Sequence, residues 1–152
     1  MIYNGTKKIQ RNFRLSEAIE WAYRSASLNT EDQTTAFLLA KQALNTETLI
    51  NIVAAASRLQ QLRDHLNSAN PDYELYIRVT SWLRHPKWER HRKRDGTSQH
   101  TKGHATDIVV MGMPKKYHEY AQEQAYIWLK SQPGWTKKYD TFIHNDLRGL
   151  LD

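Results

Sequence analysis

Apolar side chains recur at helical spacing through the first half of the chain. The spacing predicts a short helix capped by Ser16, a second helix opened by a capping box of Thr30 and Gln33, and a longer helix that begins at Asn45 or Thr46. One stripe of the longest helix is predicted to face the core: Leu49, Ile52, Val53, Ala56, Leu59, Leu62 and Leu66. A loop over residues 67–71 is expected to follow it.

The second half of the chain changes to strand patterns. Leu75, Ile77 and Val79 alternate with polar positions, and the run 105–111 is typical of a buried strand. The polar, basic segment 84–97 between them predicts a long loop. A helix is expected from Pro114 to Pro133, and a last strand from Lys138 to Asp146.

The order of elements predicts the fold class. Helices come first, and strands with one inserted helix follow, which indicates an α+β fold with N-terminal helices packed on a small antiparallel or mixed sheet. At 152 residues, we expect residues 1–152 to form a single domain.

The composition limits the metal sites and the partners that the chain can have. The chain has no cysteine, which excludes disulfides and thiolate metal sites and leaves His, Asp and Glu as metal ligands. A net charge of +6 favours anionic partners. No apolar run reaches the roughly 18 residues of a membrane span, and the polar stretch 1–15 lacks the apolar core of a signal peptide.

Two imidazoles and one carboxylate are the strongest candidates for a functional site. Alternation in a strand places Gly103, Ala105 and Asp107 on one face, and His144 and Asp146 on one face of the last strand. If these strands pair, His144 lies beside Asp107, and a turn can bring His100 over the same face. Such a trio suits a catalytic zinc ion with an open fourth position.

Each of these residues also has a structural interpretation. His100 could be a solvated loop residue, Asp107 a buried hydrogen-bonding carboxylate, and His144 a core histidine with its partners satisfied. Spacing alone does not decide between these interpretations and a metal site.

The motif Ser98-x-His100-x-x-Gly103-x-Ala105-x-Asp107 resembles the signature of the zinc D-Ala-D-Ala metallopeptidases, the group of DD-carboxypeptidases, VanX-type dipeptidases and phage endolysin peptidases. Segment 142–148 resembles the family's "FVHVDVR" and segment 79–84 its "TSGYR" turn. Weaker matches lie at Asn12–Glu17 and at Leu62–Arg63.

The resemblance implies a hedgehog/DD-peptidase-like fold and a zinc site of His100, Asp107 and His144. It also implies that Arg84 contacts substrate or polarises the scissile carbonyl. On its residue type alone, Arg84 would be one more exposed charge.

At the general base the chain departs from the family pattern. Family members carry Glu three residues before the last ligand or His two residues before it, where this chain has Thr141 and Phe142. Asp146 is then the best candidate for the base, and its alternative role is to hold an imidazole or to pair with Arg148. Asp140 and His104 are weaker candidates. Trp82 stands where the family turn has Gly, which could reshape substrate entry or strain the turn.

The resemblance implies zinc-dependent hydrolysis of peptidoglycan stem peptides, as an endopeptidase or DD-carboxypeptidase. Together with the lack of a signal peptide, it suggests phage lysis or cell-wall penetration by a protein that is cytoplasmic until released, or virion-associated. A non-catalytic peptidase-fold module that binds phage structural proteins is the alternative. The basic segment 84–94 with nearby tryptophans could also bind acidic wall polymers or single-stranded nucleic acid, of which nucleic acid is the less favoured partner.

Overall fold

A computed structural model describes residues 3–151 of the chain. Met1, Ile2 and Asp152, which belong to the predicted domain 1–152, lie outside the described residues. Within residues 3–151 there are five α-helices and six strands. In chain order they are β1 Lys8–Gln10, β2 Phe13–Arg14, α1 Leu15–Ile19, α2 Thr30–Ala43, α3 Thr46–Ala69, β3 Tyr76–Ser81, α4 Pro86–His91, β4 Ala105–Met111, α5 His118–Ser131, β5 Trp135–Lys138 and β6 Ile143–Asp146.

The main sheet has four strands in the order β3-β4-β6-β5, and every neighbouring pair is antiparallel. A second sheet consists only of β1 and β2. Helices and small antiparallel sheets in this arrangement confirm the predicted α+β class. No helix among residues 3–151 is both long enough and apolar enough to cross a membrane.

The core lies between the helices and one face of the main sheet. Ile108 and Val110 of β4 are buried there, and the backbone of Val110 exchanges two hydrogen bonds with the side chain of Gln122 on α5. The alternate residue of β4, Asp107, lies on the opposite face because successive side chains of a strand point to opposite sides. The helices therefore support the sheet from behind the face that carries the candidate ligands.

The long helix α3 agrees with its predicted stripe. Asn45 is its N-cap: the side chain accepts a hydrogen bond from the backbone of Thr48, and the hydroxyl of Thr48 accepts one from the backbone N–H of Asn45. Ile52, Ala56, Leu59, Leu62 and Leu66 are fully buried. The prediction was wrong for Val53, which is exposed. It was also wrong for the start of the loop, predicted over residues 67–71, because α3 continues to Ala69.

Helix starts were predicted less well elsewhere. The N-cap of α2 is Asn29, whose side chain accepts from the backbone of Asp32, so the Thr30–Gln33 capping box does not form. Helix α1 starts at Leu15, one residue before the predicted cap Ser16. The last strand was also wrong: segment 135–146 is a hairpin, in which β5 and β6 are joined by a turn over residues 139–142.

Candidate metal centre

The register of the main sheet places the two candidate ligands of β4 and β6 side by side. Antiparallel pairing sets Asp107 opposite His144 and Ala105 opposite Asp146. The structure thus contains the strand pairing on which the predicted site depends. Nδ1 of His144 lies 2.9 Å from Oδ1 of Asp107, so one imidazole and one carboxylate meet at the middle of the sheet.

His100 reaches the same point from a 3₁₀ turn over Gln99–Lys102. Its side chain is buried, and Nδ1 lies 2.8 Å from the backbone carbonyl of Trp82. A carbonyl can only accept, so Nδ1 carries the proton and Nε2 of a neutral ring keeps its lone pair. Nε2 lies 3.3 Å from Oδ1 of Asp107, which directs that lone pair at the carboxylate.

The ring of His144 is oriented in the same way. Nε2 lies 2.8 Å from Oδ2 of Asp146, an acceptor, which leaves the Nδ1 lone pair facing Asp107. One ligand atom from each of His100, Asp107 and His144 lies within 4.8 Å of the other two. The lone pairs of these three atoms repel one another unless a metal ion lies between them or Nδ1 of His144 carries a proton. The donor set therefore fits a zinc ion with three protein ligands.

The electrostatics of the three residues agree with a cation site. Burial acts to raise the pKa of Asp107, but His100, His144 and Arg84 outweigh it and hold that pKa well below its ordinary value. Burial acts to lower the pKa of His144, and its hydrogen bonds with Asp107 and Asp146 raise it overall. The carboxylate is thus ionised at neutral pH, and the imidazole beside it is held in a field that attracts positive charge.

Arg84, which the resemblance implies contacts substrate, lies beside Asp107. Nη2 lies 3.2 Å from Oδ2 of Asp107, and Nε donates to the hydroxyl of Ser81 at 2.9 Å. Nη1 donates to Glu89 at 3.3 Å. The guanidinium is therefore held beside the ligands rather than exposed as an ordinary surface charge.

Sequence reasoning missed Glu89. This carboxylate is fully buried and accepts hydrogen bonds from Arg84, Arg94 and the hydroxyl of Ser98. Burial acts to raise its pKa, but these bonds and charges lower it overall, so it stays ionised. A signal was present: Glu89 is the single acidic residue in the segment 84–94.

Asp146 was predicted as the general base, and the structure places it behind His144. Its side chain is fully buried. Oδ1 accepts from the backbone and Nε of Arg148, and Oδ2 accepts from Nη2 of Arg148 at 2.6 Å in addition to facing His144. The indole ring of Trp135 lies beside this group: its centroid is 5.4 Å from that of the His144 ring, and the guanidinium of Arg148 lies 4.5 Å from the centroid of the indole.

The other two candidates for the base, Asp140 and His104, have different surroundings. Asp140 is exposed in the turn between β5 and β6. His104 is buried, and its Nδ1 accepts from the backbone of Leu147. Trp82 is fully buried and does not line the cleft, its backbone φ is not positive, and its indole donates to the carbonyl of Gly103 at 2.8 Å. It can reshape substrate entry only through the side chains that it packs against, and that effect stays a prediction.

A cleft of about 520 Å³ adjoins the ligands. Asp107 and Arg84 are among the residues that line it, together with Thr141 and Phe142. The remaining wall comes from residues 24–28, from β3 and from the segment around α4. Pockets of this size suit a short segment of peptide.

The basic segment that was predicted to be a long loop contains helix α4. His85 caps it by accepting from the backbone of Lys87, and Trp88 is buried beneath it. Several basic side chains pair with acids: Arg84 and Arg94 with Glu89, and Arg92 with Asp32 at 3.5 Å. The prediction of a long loop was therefore wrong for residues 86–91, which are helical.

Comparison with known proteins gives one match. A family model described as Peptidase M15 matches residues 27–146, which is well over half of the chain and includes His100, Asp107 and His144. No curated protein and no solved structure matches.

Proposed function

The chain belongs to the peptidase M15 family, and from this premise we propose that it is a zinc-dependent peptidase that hydrolyses peptide bonds of peptidoglycan stem peptides, as an endopeptidase or DD-carboxypeptidase. The family membership confirms the resemblance seen in the sequence motifs. The observation that carries the proposal is the convergence of three ligand atoms, one of them from Asp107, which lines a cleft.

Each ligand has a defined donor atom. His100 would bind zinc through Nε2 and His144 through Nδ1, because Trp82 and Asp146 occupy the opposite nitrogens. Asp107 would bind through its carboxylate. A zinc ion in such a site supplies an activated water at neutral pH and Lewis acidity toward a carbonyl.

Arg84 would bind the substrate. It lines the cleft and lies beside Asp107, so it can donate to the oxygen of the scissile carbonyl or to a terminal carboxylate. Glu89 and Ser81 hold its guanidinium in place through two different nitrogens. A side chain fixed in this way needs little rearrangement when charge develops on the substrate.

We assign Asp146 a positioning role toward His144. Both of its oxygens already accept hydrogen bonds, and it reaches the ligand site only through the imidazole. A carboxylate behind a ligating imidazole fixes the ring and raises its basicity.

A non-catalytic module that retains the metal site is the second candidate function. The observation that favours it is the lining of the cleft: among residues 3–151, Asp107 is the only carboxylate there, and no second one stands ready to accept a proton. In this case the chain would bind wall peptides without cleaving them.

The test is metal content together with turnover. Protein purified in the presence of zinc should hold one ion per chain and release peptides from purified peptidoglycan, and His100→Ala should lose both properties. His65→Ala, which changes an exposed histidine of α3, serves as the control. Zinc binding without peptide release from several peptidoglycan types would favour the module, and absence of both would reject the proposal.

A further inference from the structure

The cleft beside the candidate metal centre is lined by an unusual number of guanidinium groups. Five arginines take part, and Asp107 is the only acid among the lining residues. The five are Arg24, Arg78, Arg84, Arg92 and Arg94. A concave surface with one sign of charge concentrates ligands of the opposite sign.

Three of these arginines have carboxylate partners within the protein. Arg84 and Arg94 share Glu89, and Arg92 pairs with Asp32. Their charges are compensated in the folded chain. They do not by themselves call for an anionic ligand.

Arg24 and Arg78 differ from them. Among residues 3–151, no carboxylate lies within 4.0 Å of either guanidinium. Nη2 of Arg78 donates to the backbone carbonyl of Arg24 at 3.1 Å, which holds the two residues together on one wall of the cleft. Both residues are exposed, so a ligand can reach their charges.

Strand β3 connects this pair of arginines to the candidate metal ligand Asp107. Arg78 and Thr80 lie on the same face of β3, and the hydroxyl of Thr80 donates to the backbone carbonyl of Asp107 at 3.2 Å. Two residues of a strand span about 7 Å. An extended substrate peptide advances by a similar distance over two residues. Arg78 is thus placed for a group one or two residues from the scissile bond.

We propose that Arg24 and Arg78 form a specificity site for a free carboxylate of the substrate, one or two residues from the bond that is cleaved. The inference rests on the proposed peptidase function and narrows its substrate class. Stem peptides with diaminopimelate in the third position carry such a carboxylate on that side chain, where stem peptides with lysine carry only an ammonium group; the carboxylates that both types share do not distinguish them. The cleft therefore selects the diaminopimelate type over the lysine type.

The experiment compares three synthetic stem peptides that differ only in the third residue: diaminopimelate, diaminopimelate with its side-chain carboxylate amidated, and lysine. Binding to the zinc-loaded protein is measured by calorimetry and hydrolysis by mass spectrometry. The free carboxylate should tighten binding by about tenfold over the amide, as a charge-assisted hydrogen bond does. Rising salt should shrink this preference, because exposed charges are screened.

Variants locate the preference. Arg78→Gln should bring the dissociation constants of the free and amidated peptides to within about twofold of each other. Arg24→Gln should reduce the preference to a similar or smaller degree. Arg63→Gln removes an arginine of α3 that does not line the cleft, and it should keep the full preference.

The outcomes separate the inference from the function on which it rests. Equal binding of the three peptides, or no binding of any of them, overturns the carboxylate site. Hydrolysis of all three peptides at the same rate also overturns the carboxylate site, but it supports the peptidase function. A binding preference that Arg78→Gln abolishes, without hydrolysis of any peptide, supports the site and rejects the peptidase function. A preference that survives both Arg24→Gln and Arg78→Gln also overturns the assignment.

Discussion

The carboxylate of Asp146 lies 2.8 Å from Nε2 of His144, on the side of the ring opposite Asp107. Asp146 is fully buried, and Arg148 donates to both of its oxygens. Burial acts to raise the pKa of Asp146, and the bonds from His144 and Arg148 lower it overall. The ionised carboxylate of Asp146 therefore connects Arg148 to His144 through hydrogen bonds that hold the three side chains in place.

Replacing Asp146 with Asn should weaken zinc binding by about 10- to 100-fold, because the imidazole loses the carboxylate that orients it. Activity should recover in large part when zinc is supplied in excess. Zinc affinity measured by competition with a chelating dye, beside kcat at saturating zinc, checks this expectation.

The same variant separates positioning from base catalysis. If Asp146 accepted the proton of the attacking water, Asp146→Asn would keep its zinc affinity and lose kcat by about 100-fold or more at every zinc concentration. Asp140→Asn changes an exposed carboxylate in the adjoining turn and should leave both quantities as in the parent protein.

Glu89→Gln should lower kcat/KM by about tenfold or more, because Arg84 loses the buried anion that fixes its guanidinium. It should also destabilise the fold by about 1–3 kcal/mol, since two arginines lose a charged partner. Urea unfolding and peptide release measure the two effects.

Asp64→Asn is the matched control for Glu89→Gln. Asp64 pairs with Arg11 on the surface, and both side chains are more than half exposed. Exposed ion pairs contribute about 0–1 kcal/mol, so this variant should change stability little and leave activity unchanged. Equal effects of the two substitutions would contradict the role assigned to Glu89.

The sequence predicts the convergence of the candidate ligands better than it predicts their surroundings. Strand alternation is a local property, and it placed Asp107 and His144 on faces that pair in the structure. The periodicity of α3 is equally local, and its buried stripe follows the prediction except at Val53. Both features depend on side chains whose pattern repeats along a single element.

The missed features depend on contacts between distant segments. Helix α4 has six residues and only one buried apolar side chain, Trp88, so it gives no periodic signal. Its position depends on Glu89 and on the pairing of Arg92 with Asp32. Likewise, the role of Asp146 follows from its burial and from the bonds that Arg148 donates, neither of which residue spacing reveals.

Removing zinc with a chelator should lower the thermal stability of the protein, and added zinc should restore it. Zinc at about a thousand times its dissociation constant stabilises by roughly 4 kcal/mol, which corresponds to about 8–16 °C in Tm for a chain of this size. Calorimetry with and without chelator measures the shift. Asp107→Ala should unfold at one temperature in both conditions, and a zinc-dependent shift in that variant would place the metal elsewhere.

Gly103→Ala tests whether the turn that carries His100 depends on a close approach to α3. Gly103 has a φ of +90°, and a Cβ there would lie 2.8 Å from the backbone carbonyl of Thr48. Left-handed backbone costs an L-residue about 1–2 kcal/mol, and the clash adds about 1–3 kcal/mol because the helix backbone cannot yield easily. Gly149 has a similar φ of +82° with no atom within 4 Å of the added Cβ, so Gly149→Ala should show only the backbone cost. Urea unfolding should therefore show Gly103→Ala to be less stable than Gly149→Ala. Zinc affinity should fall only for Gly103→Ala, because the turn that must shift carries the proposed ligand His100. Equal losses in both variants would mean that backbone strain alone accounts for the effect and that the approach to α3 does not position the ligand.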